Sequence, residues 1–292
     1  MKRSAVLIAI ALPCFCNAQR EARVRHNFLV DSAQHFSFMG KYDDAMPLYE
    51  KLMRSETWHP GPYFDAIHAC LQTGQPEKAN QFLSIAVQHG FVPEVFRFDS
   101  LLMGHLASDA SKPFRERRKE DEQVFASNAD SALIKELSAM FDLDQRVREK
   151  GSDPAMMHPV DSANFERLIE ICEQRGVPAM GNVWTLLWHH RSPEYPGSGQ
   201  WQRILPHIHA AIVSGDLDPA FLCMFDDYAD QEAGRPMRYG ALLGYYRSYP
   251  DMIFLVDRAQ LDRNRASVGW GSISRFAEEL GMDLSTLRFA AP

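Results

Sequence analysis

The sequence predicts a mainly α protein, with N-terminal helical hairpins packed against a C-terminal helical domain. Three observations carry that expectation. Part of the N-terminal third repeats itself at a constant offset of 34 residues. Apolar residues recur at helical spacing over 131–149, 161–175, 180–190 and 200–214. Strand signals are sparse, and the best of them, MIFLV at 252–256, is ambiguous by period. The composition of the 292 residues, 46% hydrophobic and 24% charged, is that of a globular chain rather than a disordered or membrane-spanning one.

The first element is an export signal. MKRSAVLIAIALPCFCNAQ opens on Lys2 and Arg3, runs apolar from Ala5 to Cys16, and has small residues at Cys16 and Ala18 before Gln19. This is the pattern of a secretory signal peptide over residues 1–18, cleaved after Ala18. The apolar run is shorter than the roughly 20 residues of a permanent membrane-spanning helix. Pro13 directly before Cys14 fits a lipid-attachment box poorly. No later segment is long and apolar enough to be a transmembrane segment, so the expected mature chain is soluble and periplasmic or extracellular. Loss of Lys2 and Arg3 takes its formal charge from −7 to −9. An acidic chain without a basic face argues against a nucleic-acid partner. The densest run of cations, FRERRKEDE at 114–122, interleaves them with four acids and reads as a solvated helix or linker.

The next region, 19–130, holds the repeat. GKYDDAMPLYEKL at 40–52 aligns without a gap with GQPEKANQFLSIA at 74–86. Gly40 meets Gly74, Ala45 meets Ala79, and Leu48-Tyr49 meet Phe82-Leu83. Upstream, Leu29, Ala33 and Phe36 meet Tyr63, Ile67 and Cys70. Glycine suits a turn between two helices, and alanine suits a close helix approach. Period and pattern over 24–92 resemble the tetratricopeptide repeat, in which antiparallel helix pairs stack on their neighbours. The resemblance implies a groove for a protein or peptide partner, or else a structural brace. Two units leave faces uncovered, so 93–130 is expected to add one further helix (Val95, Phe96, Leu101, Leu102) and then the charged connector.

The third region, 131–292, is expected to be a helical domain, and its polar residues fall in four groups. DQRVR places Asp144 on the apolar stripe of Leu133, Leu137, Met140 and Val147, with Gln145 beside it and Arg148 one turn on, where it can pair. In DSANF, Asp161 reads as the N-cap of a helix and Asn164 follows. GNVWTLLWHH ends an apolar helix in His189 and His190, where imidazoles meet the negative end of its dipole. FDDYADQEAGRPMRYG supplies Asp226, Asp227, Arg238 and Tyr239. The histidines, including His207 and His209, lack the spacing of helical zinc motifs, and no metal or cofactor is expected. Cleavage leaves Cys70, Cys172 and Cys223, read as buried thiols, with one disulfide plus one free thiol as the alternative.

The order of these groups, with the G-x-P of 176–178 between the second and third, resembles a bacterial domain-of-unknown-function family. That family occurs in exported and other proteins, sometimes behind tetratricopeptide-like repeats. The resemblance spans about 131–275 and includes LDRNRASVGWGS. The chain departs from the family's Gln-His at His189-His190, from its Asp-Arg at Asp226-Asp227, and from its Thr-Gln at Ala241-Leu242. No nucleophile elbow, phosphate loop, H-E-x-x-H or C-x-x-C is present. The leading expectation is therefore an exported binding or scaffold protein. The alternative is a hydrolase-like enzyme, or an inactive relative of one. There His190 is the acid/base, Asp144 or Asp226 orients it, Arg148 or Arg238 anchors an anion, and Gln145, His189 and Tyr239 complete the ligand-binding candidates.

Overall fold

Gly40, Gly74 and Gly90 each follow a helix with a left-handed φ, of 68°, 67° and 84°. At each one the glycine N–H donates three residues back and the next N–H donates five residues back. The pairs are Gly40 to Ser37 with Lys41 to Phe36, Gly74 to Leu71 with Gln75 to Cys70, and Gly90 to Val87 with Phe91 to Ala86. This double closure satisfies carbonyls orphaned at a helix end, in a conformation that glycine alone adopts freely. Through the first of these turns α1 (Ser4–Phe38) folds back into α2 (Tyr42–Met53), and through the second α3 (Pro60–Gln72) folds back into α4 (Pro76–Gln88). The expected hairpins and their glycine turns are present. The computed structural model describes residues 4–54, 60–149, 151, 153–178, 181–191 and 195–291. Lys2 and Arg3 of the expected export signal lie outside these described residues.

A third hairpin follows, α5 (Ser100–Ala107) and α6 (Lys112–Asn128), with α5 packed on α3 and α6 on α4. Of the two readings of FRERRKEDE, solvated helix or linker, the helix holds: the run lies inside α6. Phe114 and Asp121 are the buried residues of this helix, and the rest of its surface is solvated. Polar ties supplement that narrow apolar face. Gln88 donates to Asp121 at 2.6 Å, and Asn80 donates to the carbonyl of Ala110 at 2.7 Å while its own Oδ1 meets His105 Nε2 at 2.9 Å. An amide oxygen only accepts, so His105 Nε2–H donates to Asn80, and burial holds the His105 pKa down. Ala45 and Ala79, matched in the repeat, are both fully buried, as are Tyr49 and Leu83.

The chain divides into two compact units, residues 29–136 and residues 1–28 with 137–292. Helix α1 passes through the division at Phe28 and Leu29 as one continuous helix. Its residues before Leu29 bond within the second unit. Arg23 Nε donates to the carbonyl of Gly215 at 2.6 Å, and Asn27 Nδ2 donates to Asp218 at 2.7 Å and to the carbonyl of Val268 at 2.9 Å.

The second unit continues with α7 (Ser131–Arg146), α8 (Met157–Arg175), α9 (Gly181–His189), α10 (Gly199–Ser214) and α11 (Cys223–Glu232). Phe165, Leu168, Ile169, Val183, Leu187, Trp201, Ile204 and Phe225 are buried on these helices. Cys172 and Cys223 are buried free thiols here, as Cys70 is in the first unit. The ambiguous MIFLV run becomes β1 (Phe254–Leu255), which pairs in parallel with the equally short β2 (Arg288–Phe289). Between them run α12 (Arg258–Ser267) and α13 (Ile273–Glu279). A second cluster of Met237, Leu242, Leu243, Ile253, Leu255, Leu261, Ile273 and Leu287 gathers around the strand pair.

Candidate functional site

Asp144 lies in the last turn of α7 and is fully buried. Charge in such a place must be matched by partners. Arg148 Nη1 meets Asp144 Oδ1 at 2.9 Å and also donates to the Asp144 carbonyl at 2.8 Å. Gln145 Nε2 donates to Oδ2 at 2.7 Å. His189 Nδ1 lies 2.9 and 2.8 Å from Oδ1 and Oδ2. A carboxylate only accepts, so Nδ1 carries the proton and donates. The guanidinium continues outward, its Nη2 donating to both oxygens of Asp161 at 2.7 Å. Burial pushes the Asp161 carboxyl up, against the opposing pull of Arg148. The result is a chain Asp161–Arg148–Asp144–His189 that joins α7, the turn after it, α8 and the end of α9.

Two expectations change here. Asp161 is not an N-cap, because α8 begins at Met157 and accommodates Pro159 in its first turn, where proline's missing N–H is no loss. Asp161 is instead the second partner of Arg148. Asn164, one turn further, donates to the carbonyl of Met140 at 3.2 Å and so ties α8 to α7. The imidazole that Asp144 holds is His189 and not His190. His190 is buried against Phe165, with ring centroids 4.3 Å apart, and its Nε2 meets Gln200 Oε1 at 2.9 Å. Gln200 donates to Glu166 at 2.7 Å, and Arg203 meets the other oxygen of Glu166 at 2.8 Å. The His190 carbonyl accepts from Trp201 Nε1 at 3.1 Å. His190 thus belongs to a packed junction of α8, α9 and α10, with Asp144 and Asp226 engaged elsewhere.

The residues of 225–241 form a separate assembly. Asp226 accepts from the Tyr195 hydroxyl at 2.7 Å, and Arg238 Nη2 lies 3.3 Å from it. Arg238 Nε donates to Asp230 at 2.7 Å, which also holds Arg235 at 2.9 Å. Asp227, fully buried, accepts from the backbone N–H groups of Arg238, Tyr239 and Ala241 at 2.7, 2.9 and 2.6 Å. Burial raises its pKa to about 6 despite those three bonds. Burial likewise pushes the Tyr239 phenol up to about 12. Its carbonyl accepts from Arg265 Nη1 at 3.0 Å. This assembly holds a loop with its own side chains. Sequence reasoning missed Tyr195 and Asp230, which become informative only once the fold brings them beside Asp226 and Arg238.

On the repeat unit, the first helices of the hairpins share one face. Gln34 of α1 donates to Asp65 of α3 at 2.7 Å, and His68 Nε2 faces Asp99 Oδ2 at 3.4 Å. Beside them Phe64 stacks on Phe96, with centroids 4.4 Å apart, and Phe96 contacts Phe98 at 5.9 Å. Phe98 is 76% exposed. These aromatics carry no motif of their own, and 93–98 lies past the part of the repeat where the 34-residue pattern is readable. A shallow, open depression of about 420 Å³ lies elsewhere, along α7 and its end, lined by Ala139, Asp142, Gln145, Arg146 and Glu149.

The tetratricopeptide repeat family matches residues 39–95, which covers α2, α3, α4 and the turn after them. No curated protein and no solved structure matches the chain significantly. The class defined by fold and match together is a mainly α protein carrying a tetratricopeptide-like repeat, a module associated with protein–protein contacts. No helix among the described residues is long and apolar enough to cross a membrane. No group of three or more His, Cys, Asp or Glu side chains suited to a metal ion is found among them.

Proposed function

We propose that this is an exported binding or scaffold protein whose repeat unit holds an extended peptide segment of a protein partner. The observation that carries the reading is the match of the repeat family to 39–95, on helices that stack as hairpins. Such stacks offer the surface of their first helices to a ligand, and that surface here combines acceptors with an aromatic patch. Asp65 and Asp99 supply carboxylates, and Phe64, Phe96 and Phe98 supply an apolar platform. A segment with one apolar anchor and neighbouring donors fits that chemistry. Export is supported by Lys2, Arg3, the apolar run to Cys16 and the small residues before Gln19. The motif order from Asp144 to Tyr239 supports assigning the second unit to the domain-of-unknown-function family. In this reading that unit is the body that the repeat serves.

Selection of a random peptide library on the full-length chain tests the proposal. Enriched peptides are expected to bind with saturable affinity and to lose about tenfold or more with Phe98→Glu, because exposed aromatic anchors dominate such contacts. Selection of no sequence, or affinity unchanged by Phe98→Glu, contradicts it.

A further inference from the structure

The Asp144–His189 pair has a geometry that a purely structural tie does not require. Asp144 has a donor on each oxygen before the imidazole is counted: Arg148 on Oδ1 at 2.9 Å and Gln145 on Oδ2 at 2.7 Å. His189 Nδ1 straddles both oxygens, within 0.1 Å of equidistant. The carboxylate therefore fixes the ring's tautomer and plane, with the proton on Nδ1 and the lone pair on Nε2. The His189 side chain is 22% exposed, and Nε2 has no hydrogen-bond partner among the described residues. The groups around it come from three elements: Asp144 and Arg148 from α7 and the turn after it, and Asp161 from α8.

We propose that His189 Nε2 is a general base that activates water towards carboxylic esters with a good leaving group, with Asp144 as its positioning residue. The class of substrate follows from what accompanies the ring. No serine, threonine or cysteine of the described residues bonds to His189, and the proposal takes water as the nucleophile. With His189 as the one acid/base of the proposal, the leaving group must depart with little help, as a phenol does and an amine does not. Water oxygen bonds to the acyl carbon as one of its protons passes to Nε2. The tetrahedral adduct then breaks its bond to the leaving oxygen, which takes that proton back. Carboxylic acid and phenol leave, and the neutral ring is restored. Asp144 stays ionised throughout and accepts Nδ1–H. The inference is independent of peptide binding by the repeat unit.

The experiment follows p-nitrophenyl acetate hydrolysis by the full-length chain from pH 5 to 9. General-base action contributes roughly 10²–10⁴-fold. His189→Gln retains a donor for Asp144 and is expected to lower the rate at least tenfold, while the exposed His209→Ala leaves it unchanged. Asp144→Asn is expected to lower the rate and move the midpoint of the pH profile. Ester hydrolysis by His189→Gln at the wild-type rate, or an equal loss in His209→Ala, overturns the proposal. A wild-type measurement covers variants that fail to fold: diethyl pyrocarbonate should acylate His189, mapped by peptide mass, and its failure to do so while His209 reacts overturns the proposal as well.

Discussion

At Asp144 three side chains reach two buried oxygens, and the balance of charge there is the main residue-scale claim. Asp144→Ala leaves Arg148 with one carboxylate instead of two and His189 with no acceptor at Nδ1. The expected cost is about 3–5 kcal/mol, read from urea unfolding, as for other buried pairs broken on one side. Asp227 makes the complementary prediction. Its folded pKa, about 6, lies above the ordinary carboxylate value of 3.8. The native state therefore binds its proton more tightly than the unfolded chain. The stability this contributes is fully present below about pH 4 and is lost as pH rises through about 6, up to roughly 3 kcal/mol across the window. Thermal melts of wild type and Asp227→Asn should show wild type gaining on the variant as pH falls from 7 to 4. An unchanged difference contradicts the account. The role of Asp144 is legible in the sequence, because a carboxylate on an apolar stripe demands a partner, and Arg148 is one turn away. The choice between His189 and His190 is not. Neighbours at a helix end diverge by about 100°, and the deciding contact with Asp144 is 45 residues away in sequence.

Among the elements, the turns that end α1, α3 and α4 and the docked part of α1 depend on glycine for different reasons. Gly74 has a left-handed φ but nothing within 4 Å of where a Cβ would stand, so Gly74→Ala meets only the backbone penalty, about 1–2 kcal/mol. Gly269, with φ +86°, has the Val24 carbonyl oxygen and the Asn27 Cβ in that space. Gly269→Ala must displace the backbone of α1 and break the Asn27 bond to Val268. Chemical denaturation should rank Gly269→Ala clearly below Gly74→Ala in stability, and equal costs would show that the α1 contact is slack. The repeat helices are readable because period, turn glycine and small core residue agree at two places 34 residues apart. Helix α6 is readable only as a solvated helix or a linker, because it buries only Phe114 and Asp121 and is charged nearly all round. Its helical face is set by polar ties to α4, and hydropathy does not register those. The start of α8 is hidden for a local reason: Pro159 makes the residues before Asp161 look like the end of a loop.

For the whole molecule, the repeat match and the stacked hairpins support residues 29–136 as the unit through which, in the proposed function, a partner is held. The second unit carries the buried ionic chain and the loop pinned by Asp227. The division at Leu29 and Leu137 is invisible to sequence patterning because neither residue has a proline or glycine beside it: Leu29 lies within α1 and Leu137 within α7. Composition changes near 131, but the side chains of Arg23 and Asn27 decide which unit the first half of α1 joins. Amide hydrogen exchange of the full-length chain, with and without a peptide selected on it, reads out which surface holds the partner. Added protection is predicted over 29–38, 60–72 and 93–107, the first helices of the three hairpins, with no change over α8, α9 and α10. Protection confined to 137–292, with the repeat unit unaffected, would contradict the assignment of the binding surface.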